Sequence, residues 1–448
     1  MPLTARHQTT GLTREQLERE EDGRLAAWAI RSFGAGRAVT LDREGRLFDY
    51  RTEFQRDRDR ILHARAFRRL RLRSHGGALP PSERYRDRLT HTLEVSQLSR
   101  TVARGLGLNE DLVEAIALGH ELGMPPFGRG GEAALDLLLA GPAGGFRYPE
   151  QSLRVVDSLE KRYPHAGLNL TAPTREGILK HVGGLAPAGR GQPGAPDEDD
   201  ALSPDLPAPF ETQVVAAVDE AASAVQDLDD GLRAGEVDPA EVESLPIVRE
   251  LLRRIAPPAG TARKGHARGG LHMRANTINR GLTHMMVTGI IHQSRRALKS
   301  WARANEVDSY DAFLRARARI VAGTVGLTPA ARRLYDGLAA FVARSLHQGA
   351  WMSGVAARAR HVLGGLFRAV ADDPRLAEDY LLLRFKELEG GPFLRDVPPA
   401  GIEAEIARRY RGNVRWSRLV VDHIAGMTDP YALAEYERLL GPFGMVRS

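Results

Sequence analysis

Residues 86–132, RDRLTHTLEVSQLSRTVARGLGLNEDLVEAIALGHELGMPPFGRGGE, constrain this chain more than any other stretch. Their apolar spacing fixes two helices and turns one histidine inward from each. His91 is followed by Val95, Leu98 and Val102 at helical steps, which puts its imidazole on the apolar face. A second helix opens at Asn109, a good N-cap, with Glu110 and Asp111 suited to the positive helix end. It runs through Val113, Ile116 and Ala117 to His120, so this imidazole also lies near the buried stripe. Glu121 follows, and Gly123-Met124-Pro125-Pro126 stops the helix. A lone inward histidine is more commonly a satisfied core residue. Two on adjacent helices, one beside a carboxylate, are equally a candidate metal site.

The bulk numbers narrow the class. There are no cysteines, which excludes disulfides, thiolate metal ligands and thiol nucleophiles. No apolar run approaches the ~20 residues of a membrane helix, and MPLTARHQTTGLTREQ lacks a signal-peptide core. A cytoplasmic protein is the expectation. The net charge of +6 on 448 residues is modest, but residues 51–73 hold nine arginines against three acids. That local surplus equals the net charge of the whole chain and makes an anionic partner plausible.

In chain order, helices are expected at 13–33, with Leu17, Leu25, Trp28 and Ala29 inside, and from 53 to about 73, with Phe54, Ile61, Leu62, Ala66, Phe67 and Leu70 buried. The arginines of the second helix read either as a solvated face paired to Asp57 and Asp59 or as a phosphate wall. Gly128-Arg129-Gly130-Gly131-Glu132 opens a third helix after the histidines, and further helices follow at 151–163 and 174–182. Residues 183–210 read as a Gly/Pro/Asp-rich surface loop. From 211 to about 232, Val215, Val218, Ala222 and Val225 mark an inner face on which Asp219 also sits. A carboxylate there is costly unless paired or bound to a cation. The remainder is helical by its spacing, with a basic stretch at 257–270 and a long helix around 275–300. Met285, Met286, Ile290 and Ile291 of that helix suit a core or a subunit contact. The expectation is therefore an all-α protein, divided into N-terminal helices (1–85), a central core (86–235) and a C-terminal helical region (236–448).

Six segments, RTEFQRDRDRILHARAFRRL, RLTHTLEVSQLSRTVARGLGLNEDLVEAIALGHELG, QSLRVVDSLEKRYP, REGILKH, DLDDGLRAG and HIAGMTDPYAL, occur here in order. Together they resemble the dGTPase-like deoxynucleoside-triphosphate triphosphohydrolases, within the HD superfamily of metal-dependent phosphohydrolases. The resemblance implies an HD-domain helical core with a divalent ion (Mg, Mn, Fe, Co or Zn) held by His91, His120, Glu121 and Asp219. It places Arg68, Arg69 and Arg88 toward substrate phosphates, His75 at a base-reading position and Asp227 near the sugar. Arg129 and Glu132 fall at catalytic positions. The implied reaction is attack of water on the α-phosphorus of a deoxynucleoside triphosphate, releasing the deoxynucleoside and triphosphate.

This chain departs from the family pattern at several positions. Glu121 stands where the family has Asp, Met124 and Arg129 where it has His, His75 where it has Gln, and Ser223 where it has Tyr. Arginine cannot shuttle a proton at neutral pH, so Glu132 is left to take part of that role. The alternative is a catalytically degenerate paralogue, a regulatory subunit that binds nucleotide or single-stranded nucleic acid. The resemblance also implies a homo-oligomer.

Overall fold

The computed structural model describes residues 13–37, 50–75, 86–140, 144–182, 206–255 and 270–441. It is all-α, with no strand among the described residues and only two isolated bridges, Arg37 to Thr171 and Ser74 to Asp87. The half carrying the histidines comprises α1 (Arg14–Arg24), α2 (Glu53–Leu62), α3 (Arg65–Arg69), α4 (Arg88–Leu106), α5 (Glu110–Gly119), α6 (Gly128–Leu138), α7 (Tyr148–Arg154), α8 (Ala172–Lys180) and α9 (Phe210–Ala234). Most of the expected 183–210 loop, the 257–270 basic stretch up to residue 269 and residues 76–85 lie outside the described residues.

The α4–α5 hairpin is the centre of the molecule, and its ends are set locally. Asp87 caps α4 by accepting from the Thr90 amide at 2.7 Å, and Asn109 caps α5 by accepting from Leu112 at 3.1 Å. Between them Gly107 takes φ +68, a left-handed C-cap where a Cβ is unfavourable. Val95, Val102 and Leu106 of α4 and Leu112, Val113 and Ile116 of α5 are buried against Val214, Val215, Val218, Ala222 and Val225 of α9. Behind them runs the helix Gly270–Ala304, contributing Ile278, Leu282, Met286 and Ile290. Arg274, Arg280, Arg295 and Arg296 are exposed on its outer side. A second apolar cluster joins Ala134 and Leu135 of α6 to the helices Ala350–Asp372 and Val414–Ala425. A third joins α2 and α3 to α5 and α8.

Three expected helices are shortened or broken relative to their patterns. The 13–33 helix ends at Arg24. Beyond it the backbone finds partners elsewhere: the Ala26 amide donates to the Gly107 carbonyl (2.8 Å) and the Ile30 amide to Glu211 Oε1 (2.9 Å). Glu21, buried on α1, accepts from Ser32 and Asn109, so the inner side of this helix carries charge as well as Leu17. The basic helix breaks after Leu62, resumes as α3, and ends in a 3-10 turn at Leu70–Leu72. The expected 151–163 helix closes in a wider π turn, Val155–Leu159.

The basic segment binds its own protein. Arg37 reaches Glu53 and Asp57, Arg51 and Arg58 reach Asp59, and Arg60 donates to the carbonyls of Leu168 and Asn169. Arg73, 2% exposed, donates to three carbonyls: Met427 (3.1 Å), Ala425 (2.8 Å) and Leu122 (3.3 Å). It thereby ties the end of the Val414–Ala425 helix to the turn that follows His120. Asp429 completes this seam by accepting from Ser74 and from the Phe127 amide. Arg73→Met leaves three buried carbonyls unpaired and should cost about 3 kcal/mol, seen as a lowered urea midpoint. Exposed Arg71→Met should stay within about 0.5 kcal/mol of the parent.

Candidate metal centre

Both inward histidines have their tautomer set by a partner behind the ring. His91 Nδ1 lies 2.6 Å from Gln226 Oε1, while the Gln226 amide nitrogen donates to Glu94 Oε2 at 2.5 Å. The amide therefore presents its oxygen to His91, whose Nδ1 must carry the proton. His120, at the C-cap of α5, donates from Nδ1 to the Ala117 carbonyl at 2.6 Å. In both rings Nε2 is left to face Asp219 Oδ1, at 3.0 Å from His91 and 3.7 Å from His120. Second partners of this kind orient imidazole ligands and raise their basicity in metal sites. One donor atom from each of His91, His120 and Asp219 lies within 4.8 Å of the other two, and His120 Nε2 has no hydrogen-bond partner. Once an ion displaces the Nε2 proton, two imidazole lone pairs and a carboxylate fit a divalent cation.

The turn carrying His120 and Glu121 is held from α7. Ser152 Oγ donates to the His120 carbonyl (2.8 Å) and accepts from the Gly123 amide (2.9 Å). A Cβ at Gly123 would stand 2.1 Å from the Ser152 nitrogen, so only glycine permits this approach. Glu121 does not join the His91–His120–Asp219 cluster. Its Oε1 pairs with Arg88 Nη1, its Oε2 has no partner, and its nearest potential ligands are His75 and His91. Glutamate places its carboxylate one methylene farther out than aspartate, which is long enough to reach Arg88.

The charges agree with this layout. Burial works against ionisation of Asp219, but His120 and His91 outweigh it and hold the carboxyl well below its usual range. Burial likewise opposes charge on His91, yet Glu121 and Asp219 lift that imidazole to about 9. Burial, with a smaller effect of His120, pushes His181 down to about 4. That neutral ring donates from Nδ1 to the Ile178 carbonyl (2.8 Å) and accepts from the Tyr148 hydroxyl (3.0 Å).

The centre opens onto a cavity of about 1200 Å³, larger than the ~300–1,000 Å³ of most ligand sites. His75, Arg88, Glu121, Met124, Arg129, Asp219, Ser223 and Asp227 line it, together with Tyr148 and His181. His347 Nε2 lies 3.0 Å from Asp227 Oδ2 on the same wall. Three expected residues fall elsewhere. Arg68 is exposed and outside the cavity lining, while its neighbour Arg69 donates to the Gly426 carbonyl. Glu132 lies behind the wall, accepts from the Tyr148 amide (2.9 Å), and is raised by burial above the usual carboxylate range. Gln226, Tyr148 and His181 were not singled out from sequence. Gln226 was accessible as the residue seven beyond Asp219, two helical turns along the same face.

An all-α core that aims two histidines and an aspartate at one point is the arrangement of an HD phosphohydrolase. The HD domain family matches residues 88–181, and a phosphohydrolase-associated domain matches residues 393–438. Over most of its length the chain is 36% identical to the deoxyguanosinetriphosphate triphosphohydrolase-like protein of Nitrobacter hamburgensis, covering 88% of this chain and 93% of that one. The corresponding protein of Ralstonia nicotianae is 38% identical, covering 87% and 88%. Deoxyguanosinetriphosphate triphosphohydrolase-like protein 1 of Deinococcus radiodurans is 35% identical over 96% of this chain and 100% of its own. The chain belongs to the deoxyguanosinetriphosphate triphosphohydrolase-like family of HD-domain phosphohydrolases. No helix among the described residues is long and apolar enough to cross a membrane.

Two measurements test the geometry. Gln226→Leu removes the acceptor that fixes the His91 tautomer, and should weaken divalent-metal binding about 10–100-fold by calorimetry. His181 has its folded pKa depressed, so its contribution to stability is complete above about 6.5, its ordinary value, and is lost as pH falls through about 4. Urea titrations of His181→Gln should therefore show a flatter loss of stability between pH 6.5 and 4 than the parent.

Proposed function

We propose that this protein hydrolyses a deoxynucleoside triphosphate at the α-phosphorus, releasing the deoxynucleoside and inorganic triphosphate. The observation that carries this reading is the pair of tautomer-fixed histidines facing Asp219 at the wall of a large cavity that arginines also line. The name of its relatives, deoxyguanosinetriphosphate triphosphohydrolase-like protein, supports the same substrate class. His91, His120 and Asp219 would hold a divalent ion, and Glu121 would become a fourth ligand only on leaving its pair with Arg88. Such an ion supplies Lewis-acid polarisation of a phosphoryl oxygen and acidifies attacking water.

The chain's own side chains account for substrate placement and charge. Arg88 is buried, with Nη1 on Glu121 and Nη2 on the His75 carbonyl (2.9 Å), and its Nε–H has no partner among the described residues. Drawn from Glu121 toward a phosphate, the guanidinium would offer a planar fork to its oxygens. Arg129, exposed on the cavity wall, adds positive charge where negative charge develops on the transferring group. Asp227, held by His347, is placed to accept a sugar hydroxyl. Breaking the bond from phosphorus to the 5′-oxygen requires a proton on that oxygen. Among the protic side chains lining the cavity, which include Lys180, Ser223, Tyr335 and His347, we assign this role to the Tyr148 hydroxyl, held by His181, while Glu132 positions Tyr148 through its amide. Glu132 thus acts through its neighbour, and Arg129 acts as a fixed charge.

The test is triphosphate release, resolved by ion exchange, with each deoxynucleoside triphosphate singly and in mixture, in Mn or Mg. The expected result is metal-dependent triphosphate that falls to background in His91→Ala and Asp219→Ala. Absence of product under every mixture, with nucleotide still bound, would overturn hydrolysis and leave a nucleotide-binding regulatory protein.

A further inference from the structure

We propose that His75 is an additional donor to the metal centre, making it a three-imidazole site. The inference rests on the metal reading above and concerns a residue outside the four ligand positions that the family resemblance implies.

His75 stacks on His91, with ring centroids 3.9 Å apart and planes 21° from parallel. Its side chain is 7% exposed, and neither ring nitrogen has a hydrogen-bond partner among the described residues. The nearest carboxylate oxygen, on Asp227, is 4.0 Å away. A buried imidazole with both nitrogens unpaired is costly, and such groups often mark an ion site. A potential ligand atom of His75 also lies within 4.8 Å of those of His91 and Glu121, and Glu121 Oε2 is itself unpartnered.

The backbone at His75 is anchored, so the ring is carried to this place by the fold. The Arg88 amide donates to the Arg73 carbonyl (3.0 Å), Arg88 Nη2 to the His75 carbonyl, and the Ser74 amide to Asp429. His91 belongs to both clusters, His75–His91–Glu121 and His91–His120–Asp219. Its Nδ1 is committed to Gln226, so only Nε2 is available to an ion. As the side chains stand the two clusters share His91 without merging into one group; turning the unpartnered His75 ring and Glu121 Oε2 toward that nitrogen would bring them to the ion held by His120 and Asp219. Three imidazoles favour Fe, Co or Zn over Mg, which prefers an all-oxygen shell.

Chelator-stripped protein would be titrated with Co(II), followed by its visible ligand-field bands and by competition with a chromophoric chelator. His75→Ala and the size-conserving His75→Gln should each weaken Co(II) at least ~10-fold and change the bands, with circular dichroism confirming the fold. Their selectivity for Co(II) over Mg should also fall. Wild-type affinity and an unchanged spectrum in both variants, with His91→Ala losing the ion, would overturn the role of His75 and leave the metal centre standing. Failure of the wild-type protein to take up Co(II), Mn or Zn would overturn the metal centre itself and this inference with it.

Discussion

Asp219 occupies a place on the apolar face of α9 that a carboxylate can hold only against positive charge. In the structure it faces Nε2 of His91 and of His120, which approach it from α4 and α5. The same contact dictates what stands behind each ring. If Nε2 is to face Asp219, Nδ1 must be satisfied elsewhere, and Gln226 and the Ala117 carbonyl do this. With a cation present, the rings would act as neutral donors and the ion would take over neutralisation of the carboxylate. Gln226, Glu94 and the close packing of α9 on the α4–α5 hairpin all follow from this one requirement.

The rest of the fold secures the turn between α5 and α6. Ser152 grips it from α7, and Arg73 binds the Leu122 carbonyl together with the end of the Val414–Ala425 helix. Asp429 bridges Ser74 to Phe127. The C-terminal helices are therefore part of the site's support, although no C-terminal ligand is needed. Arg88 and Glu121 stand at the junction of support and chemistry. Their ion pair satisfies two buried charges, and the same groups face the cavity, so binding there must compete with the pair.

Much of the central scaffold was legible because its signals are local. The α4, α5 and α9 stripes are strictly spaced, and Asn109 marks the start of α5. Asp219 was legible for a physical reason, the cost of a carboxylate among valines. Other features depend on contacts distant in sequence. Nothing around Leu25 reveals that Gly107 and Glu211 will take up the backbone donors that a longer helix would use. The arginine surplus of 51–73 looks the same whether its partners are water, phosphate or carbonyls; Arg60 and Arg73 chose carbonyls of the protein itself. The position of His75 against His91 depends on an anchor to Asp429, 355 residues from Ser74.

The central claim is that one divalent ion is held where the Nε2 atoms of His91 and His120 converge on Asp219. Anomalous diffraction from crystals grown in Mn or Co, recorded on both sides of the metal's absorption edge, tests it most directly. The account predicts a single strong peak within bonding distance of His91, His120 and Asp219. A peak that avoids these residues, or none at full metal loading, would contradict it.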